Sequence, residues 1–313
     1  MLNLSVSVII PCFNEELVIE HSYQRISVTM QAMGLKAYEL IFINDGSNDR
    51  TLTMLKSFAA ADSHIKILSF SRNFGHQPAV SAGIQVCTGD VAIITDADLQ
   101  DPPECFVEMV QIHLKEQANV VYGVREQRKG ETWFKLITSK LFYRTINYLS
   151  DVHLPVDTGD FRLIDRKVIE AFKSLTEKTK YIRGLISWVG FKQVPMYYVR
   201  EERFAGETKY PLSKMLKFAS TSLLYFSKKP LKIALTMGFL SIIVGLFMAV
   251  WVITGLLFRA DTMVPGWAST VIVSVFFGGV QLLTIGVLGE YLGNVFDEIK
   301  NRPEYIVQEK VNF

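Results

Sequence analysis

Cysteine is scarce in this chain: Cys12, Cys87 and Cys105 are the only three in 313 residues, and no two form a C-x-x-C pair. An odd number without such spacing speaks against a disulfide framework and fits reduced thiols packed as small core residues. The five histidines, His21, His64, His76, His113 and His153, are scattered without metal-ligand spacing, so no zinc signature is present. No G-x-G-x-x-G follows the first apolar run, which removes the fingerprint of a dinucleotide-binding dehydrogenase. An excess of one charge is lacking as well. With 33 basic and 31 acidic residues the net charge is +2, so no global field points to nucleic acid as a partner. The opening residues Met1-Leu2-Asn3-Leu4-Ser5 have no basic n-region and run straight into a strand pattern. No cleaved signal peptide is expected, and the catalytic part is expected in the cytosol. Internal repeats and low-complexity tracts are also missing.

What is abundant is apolar residue, 49% of the chain, with a mean hydropathy of +0.22. That is high for a purely soluble protein and predicts a membrane part. Short β-rich runs at Val6 to Ile10, Glu39 to Ile43, Ile65 to Phe70, Val91 to Thr95 and Asn119 to Gly123 alternate with helix-length segments. The alternation predicts an α/β domain with a mostly parallel sheet, and the unbroken apolar runs suit strands covered on both faces.

In such sheets ligands bind beyond the carboxyl ends of the strands. The first strand leads to Pro11-Cys12-Phe13-Asn14-Glu15-Glu16, the second to Asn44-Asp45-Gly46-Ser47-Asn48-Asp49, and the fourth to Asp96-Ala97-Asp98-Leu99-Gln100-Asp101-Pro102-Pro103. Three acidic clusters therefore share one rim. Asn, Asp and Ser are also ordinary helix caps and turn formers at strand-to-helix joints, which is the bland account of each cluster. One nucleotide-diphosphate site explains all three together. The D-x-D pair matters most, because ions of the magnesium type are held by one or two carboxylates and share their other positions between water and substrate phosphate.

The last third changes character. Ile233 to Phe258 and Trp267 to Gly289 carry no charged residue and are each long enough to cross a hydrocarbon core of about 30 Å. Lys228, Lys229 and Lys232 precede the first run, Lys300 and Arg302 follow the second, and the loop between carries only Arg259 and Asp261. This bias places both ends in the cytoplasm. Buried core helices are the alternative. Gln281 is the polar exception in the second run and a candidate interhelical contact. Before the spans, Leu212, Met215, Leu216, Ala219, Leu223 and Phe226 recur at helical spacing with Lys214 and Lys217, predicting an interfacial helix. Trp133 to Leu149 is either a second such helix or one packed on the sheet.

Read together, Phe42-Ile43-Asn44-Asp45-Gly46-Ser47, Ser71-Arg72-Asn73-Phe74-Gly75, Asp96-Ala97-Asp98-Leu99-Gln100-Asp101-Pro102, Gly159-Asp160-Phe161-Arg162-Leu163 and Gly286-Val287-Leu288-Gly289-Glu290-Tyr291 resemble family 2 glycosyltransferases of the polyprenyl-phosphate type. Dolichol-phosphate mannose synthase is the best-known member of that group, and the motifs are more similar to those of bacterial bactoprenol glucosyltransferases. The resemblance implies a GT-A fold, a nucleotide-sugar donor, magnesium or manganese, and a polyprenyl-phosphate acceptor. It also implies that Pro11, Asn14 and Glu15 line the nucleotide pocket and that Asp45 lies near the base or ribose. Asp96, Ala97 and Asp98 would border the metal, with Asp98 the direct ligand and Gln100 completing the set. Many relatives have Asp where this chain has Asn44.

Attack by a lipid phosphate on the anomeric carbon expels a nucleotide diphosphate, whose developing charge calls for cations. Arg125, Arg128, Arg203 and Lys209 are the candidates for holding the phosphate groups. Asp160 resembles the position assigned to the catalytic carboxylate. A phosphate monoester is already largely ionised near neutral pH, its second pKa being about 6, so a strong base is less needed. Asp160 is therefore expected to orient the acceptor and stabilise positive charge on the sugar.

The resulting expectation is a GT-A catalytic domain at residues 1–210, a juxtamembrane amphipathic helix at 211–230, two transmembrane helices within 231–292 and a cytoplasmic tail at 293–313. The enzyme would be an inverting hexosyltransferase in the plasma or inner membrane, using UDP-glucose and undecaprenyl phosphate, and associating as a homo-oligomer. Competing readings are another donor (UDP-GlcNAc, UDP-galactose or GDP-mannose) and a non-catalytic nucleotide-binding membrane scaffold. A processive polysaccharide synthase would need more spans and a Q-x-x-R-W motif, which this chain lacks.

Overall fold

The computed structural model describes residues 2–125, 158–178, 180–201, 229–258 and 266–313. Arg128, Arg203, Lys209 and the two expected interfacial helices lie outside the described residues. The chain divides into two compact units, one of residues 1–144, 152–211 and 301–313 and the other of residues 145–151 and 212–300.

The first unit is built on eight strands: β1 (Leu2–Cys12), β2 (Leu35–Asn44), β3 (Ile65–Phe70), β4 (Val91–Ile94), β5 (Val120–Arg125), β6 (Thr158–Asp165), β7 (Gln193–Tyr198) and β8 (Val307–Val311). Their order in the sheet is β7-β5-β6-β4-β1-β2-β3-β8. All five strands expected from the sequence form. β1 pairs in parallel with β2 and β4, β2 with β3, and β5 with β7, whereas β6 and β8 run antiparallel to their neighbours. The carboxyl ends of the parallel strands therefore share a rim with the starts of β6 and β8.

Helices α1 (Ile19–Ala32), α2 (Thr51–Ala61), α3 (His76–Val86), α4 (Cys105–Glu116), α5 (Arg166–Lys173) and α6 (Ile182–Trp188) connect the strands. α3 packs on β1 and β2, α2 on β3, and α4 on β5, β6 and β7. Val8, Ile9, Ile10, Leu40, Ile41 and Phe42 are all fully buried, which is why these strands read as unbroken apolar runs rather than alternating ones. Cys12 and Cys87 are buried and Cys105 is half-buried, all three as free thiols.

One polar knot interrupts this core. Glu39 on β2 accepts from Ser7 Oγ at 2.6 Å, Thr88 N at 2.7 Å and Thr88 Oγ1 at 2.9 Å, and Lys66 Nζ lies 2.7 Å away. Burial alone would raise the Glu39 carboxyl, but Lys66, Ser7 and Thr88 together hold it below the usual carboxylate range. Its stabilisation is whole above the unfolded carboxylate pKa of about 4.3 and is lost as pH falls through the lower folded value. We expect Glu39→Ala to cost about 3 kcal/mol at pH 7. Thermal unfolding of both proteins should show that difference shrinking at pH 3; a gap unchanged by acid would refute the role of the charge.

The C-terminus corrects one sequence expectation. Residues 293–313 were expected to form a tail, yet Val307–Val311 adds to β3 as an edge strand, with Ile67 opposite Val311 and Phe70 opposite Val307. The run Val307-Gln308-Glu309-Lys310-Val311 is too short and charged to stand out beside the buried strands, which is the usual composition of an exposed edge.

The second unit consists, among its described residues, of α7 (Lys229–Phe258) and α8 (Trp267–Ile299). Both are long and apolar enough to cross a membrane. At about 1.5 Å per residue each exceeds a 30 Å core. Phe239, Leu240, Trp251, Leu282 and Leu292 are exposed along them. The two helices approach closely at Gly245, where a Cβ would come within 3.3 Å of the Phe277 ring, the small-residue contact common between helices in lipid. Gln281 is exposed.

Candidate active site

The rim loops are stitched to one another by hydrogen bonds from the sequence clusters. Asn14, at φ 54, donates its N–H to Ser47 Oγ at 3.0 Å and accepts from Asn48 N at 2.9 Å. Glu15 N donates to Thr51 Oγ1 at 2.9 Å. Pro11 is buried within β1, opposite Ile43. Asn44 is buried at the end of β2, donating to Ser69 Oγ at 2.9 Å and accepting from Ser47 N at 3.3 Å. Its amide thus joins β2 to β3 and closes the following turn.

Asp45 is buried with both carboxylate oxygens engaged: Oδ1 accepts from Phe74 N at 2.7 Å and Oδ2 from Gly75 N at 2.9 Å. Burial raises its pKa against the pull of these amides. Asp45 therefore holds the Ser71-to-Gly75 loop in place. Gly46 makes this close approach feasible. Its φ is +63, and a Cβ would sit 2.3 Å from the Arg72 carbonyl carbon.

Asp96 and Asp98 follow β4. Leu99 is buried at φ 57, a conformation a bulky side chain adopts only under strain, and the turn it makes lets Asp98 Oδ1 accept from Gln100 N at 3.2 Å. Burial, with the charges of Asp101, Asp98 and Asp160, pushes the Asp96 carboxyl up to about 6 against the opposing pull of His76. Asp101 is buried and accepts from the Tyr198 hydroxyl, with Arg200 Nε 3.8 Å away. Arg125 Nε donates to the same hydroxyl at 3.4 Å, and its guanidinium lies against Gly159.

Asp160 reaches this group because β6 is antiparallel. Ile94 pairs with Arg162, and extending that register by two residues sets Asp96 across from Asp160. His76 sits between them, with Nε2 3.0 Å from Asp160 Oδ2 and 3.7 Å from Asp96 Oδ1. Arg183 Nε donates to Asp160 Oδ1 at 2.7 Å and Gln77 Nε2 to Oδ2 at 3.2 Å. Gln77 Oε1 in turn accepts from Ile182 N at 2.9 Å, and Arg183 Nη1 donates to Thr158 O at 3.1 Å. Burial opposes the charge on Asp160, but Arg183 and His76 outweigh it and hold the carboxyl well below its ordinary range. His76 is raised to about 9 by Asp96 and Asp160 although burial works the other way. An acid this strong is a poor proton acceptor and a good fixed negative charge.

Among the described predicted site residues, Asp96, Asp98, Asp160 and Arg125 come together, and Pro11, Asn14, Glu15 and Asp45 build the adjoining loops. His76, Gln77 and Arg183 were not expected from the sequence. His76 had one available signal, its place directly after Gly75 at a rim turn. Arg183 had none, since it joins Asp160 across 23 residues from a short helix.

The sequence model of "Glycosyl transferase family 2" matches residues 7–172. The uncharacterized glycosyltransferase YkcC of Bacillus subtilis is 48% identical over 307 residues, covering 98% of this chain and 94% of that protein. A prophage bactoprenol glucosyl transferase homolog of Escherichia coli is 36% identical over 307 residues, covering 97% and 99%. Among solved structures, glucosyl-3-phosphoglycerate synthase from Mycobacterium tuberculosis, in complex with Mn2+, UDP and phosphoglyceric acid, aligns at a TM-score of 0.49 with 20% identity, covering 71% and 76%. A family model spanning the sheet through Asp160, and relatives matching almost end to end, place the mostly parallel GT-A sheet and its acidic rim in one lineage: the chain belongs to glycosyl transferase family 2.

Proposed function

We propose that this chain transfers a hexose from a nucleoside diphosphate sugar, UDP-glucose, to polyprenyl phosphate at the cytoplasmic face of a membrane, inverting the anomeric carbon. The observation that carries the reading is Asp160, clamped by Arg183 and His76 and facing Asp96 across the sheet end, at the rim where Pro11, Asn14, Glu15 and Asp45 shape the adjoining loops. Relatives named bactoprenol glucosyl transferases, alike over nearly the full length, support the acceptor class. Helices α7 and α8 support anchoring in the bilayer where such a lipid resides.

The donor set suits magnesium or manganese. Among the described residues no three His, Cys, Asp or Glu side chains form a ready-made cluster. The rim instead offers Asp96 and Asp98 with Gln100 beside them, hard oxygen donors in a crowd of like charge, leaving the other positions to phosphate and water. When bound, such an ion supplies positive charge to the diphosphate leaving group. Arg125, at the same rim, adds a fixed cation for the phosphates, a role shared in this reading with Arg128, Arg203 and Lys209. Asp160 orients the incoming acceptor and offsets positive charge on the sugar ring, with its own proton state fixed by Arg183 and His76.

The test is transfer of radiolabelled sugar from a panel of nucleotide sugars to undecaprenyl phosphate in detergent, with magnesium or manganese. Lipid labelling from UDP-glucose that stops on chelation is the expected result. Labelling from a different donor would overturn the sugar assignment. No labelling from any donor, with nucleotide binding intact, would favour a scaffold.

A further inference from the structure

We propose that Glu304, in the segment between α8 and β8, is a positioning residue for Asp160, acting through α3 and the loop before α6. This rests on the function proposed above. Because β8 is antiparallel to β3, the residues just before it arrive at the rim where α3 begins. There Glu304 is largely buried, its side chain 11% exposed, and its Oε2 takes two partners from different elements. Ser81 Oγ of α3 donates to it at 2.9 Å, and Lys180 Nζ lies 3.4 Å away, itself only 8% exposed. Neighbouring contacts fasten the segment: Ser71 N donates to Ile306 O at 3.0 Å, and the Tyr305 ring stacks on Phe70 at 4.8 Å.

The two elements that Glu304 joins are those that hold the clamp. α3 carries His76 and Gln77 at its first turn, five and four residues before Ser81. Lys180 stands three residues before Arg183, and Gln77 Oε1 already accepts from Ile182 N in between. Asp160 is thus gripped from two sides, and Glu304 is a common tie behind both. A buried carboxylate held by the Ser81 hydroxyl and Lys180, with the charge of Lys178 also acting on it, is sensitive to loss of charge, because Lys180 is left buried without its counter-ion. Segments that hold a reacting group within a fraction of an ångström alter turnover more than binding.

The experiment compares full-length wild type, Glu304→Gln and Lys180→Met in detergent, measuring kcat, donor KM and amide hydrogen exchange. Glu304→Gln keeps the shape and an acceptor for Ser81 but removes the charge. We expect kcat to fall about tenfold with donor KM changed less than about twofold. Exchange at Tyr181 to Arg183 should rise about tenfold while the β1 and β2 amides stay protected. Lys180→Met should give the same pattern, and the loss from Glu304→Gln should largely vanish in an Arg183→Ala background, where the clamp is already broken. Unchanged exchange at 181–183, a kcat within twofold of wild type, or additive losses with Arg183→Ala would each overturn the proposal. Should wild type transfer no sugar, the functional reading falls by itself, and the exchange arm still decides whether Glu304 holds the clamp.

Discussion

Replacing Asp160 with Asn is expected to cut sugar transfer to the lipid acceptor by at least about a hundredfold, while nucleotide affinity changes by less than about threefold. The amide keeps the size of the carboxylate and removes only its charge. That charge is what the surroundings are built to preserve: Arg183 approaches at 2.7 Å, His76 at 3.0 Å and Gln77 at 3.2 Å, all on a side chain 8% exposed. An ion pair so enclosed keeps Asp160 ionised far below neutral pH, so the loss should be nearly independent of pH between about 6 and 8, as for a fixed charge rather than a titrating base. Steady-state transfer assays beside nucleotide titration distinguish the cases. Weakened nucleotide binding with turnover intact would assign Asp160 to the donor site, and a loss relieved at high pH would make it a base.

Asp98→Ala and Asp96→Asn are expected to lower transfer by about a hundredfold to a thousandfold each. Their effects on stability should diverge from their effects on activity. Burial raises the pKa of Asp96 most, and the nearby charges of Asp101, Asp98 and Asp160 add to it against the pull of His76. Such a group is held at a cost to the metal-free fold, reduced by solvent because its side chain is 38% exposed, so Asp96→Asn should raise the unfolding midpoint by about 1–2 °C in chelator even as activity disappears. Added manganese should raise the wild-type midpoint and leave that of Asp96→Asn almost unmoved, because only a ligand bound to the native state shifts it. A lower midpoint for Asp96→Asn would mean that the carboxylate is a structural partner of His76 and would remove it from the metal reading.

The architecture was legible to an unusual extent because the buried parallel strands announce themselves as unbroken apolar runs. Val8-Ile9-Ile10 and Val91-Ala92-Ile93-Ile94 suit strands covered on both faces, and the turn residues after them mark the rim. The same logic set Asp96 and Asp98 at the rim as an acidic pair beyond a strand end, where the structure has them. It failed for β8, whose alternating charged composition is what an exposed edge requires. The family resemblance, not strand logic, put Asp45 near the base or ribose; in the structure its carboxylate holds Phe74 N and Gly75 N, while Asn44 joins Ser69 and Ser47. A polar residue in a recognisable motif has the same appearance in sequence whether it faces a substrate or a neighbouring turn.

By itself the sequence determined the periodicities, and with them the first five strands and their alternation with helices, the two long apolar helices and the acidic character of the strand ends, but not β6, β7 or β8. Those are local properties, set by side-chain hydrophobicity and turn chemistry over a few residues. Only the tertiary structure decided that β6 runs backwards through the sheet, so that Asp160 faces Asp96, and that Arg183, His76 and Glu304 converge from segments tens to hundreds of residues apart. Strand direction and long-range ion pairs are settled by which packing buries the shared core and still gives each buried charge a partner, a condition on the whole fold that no short window of sequence contains.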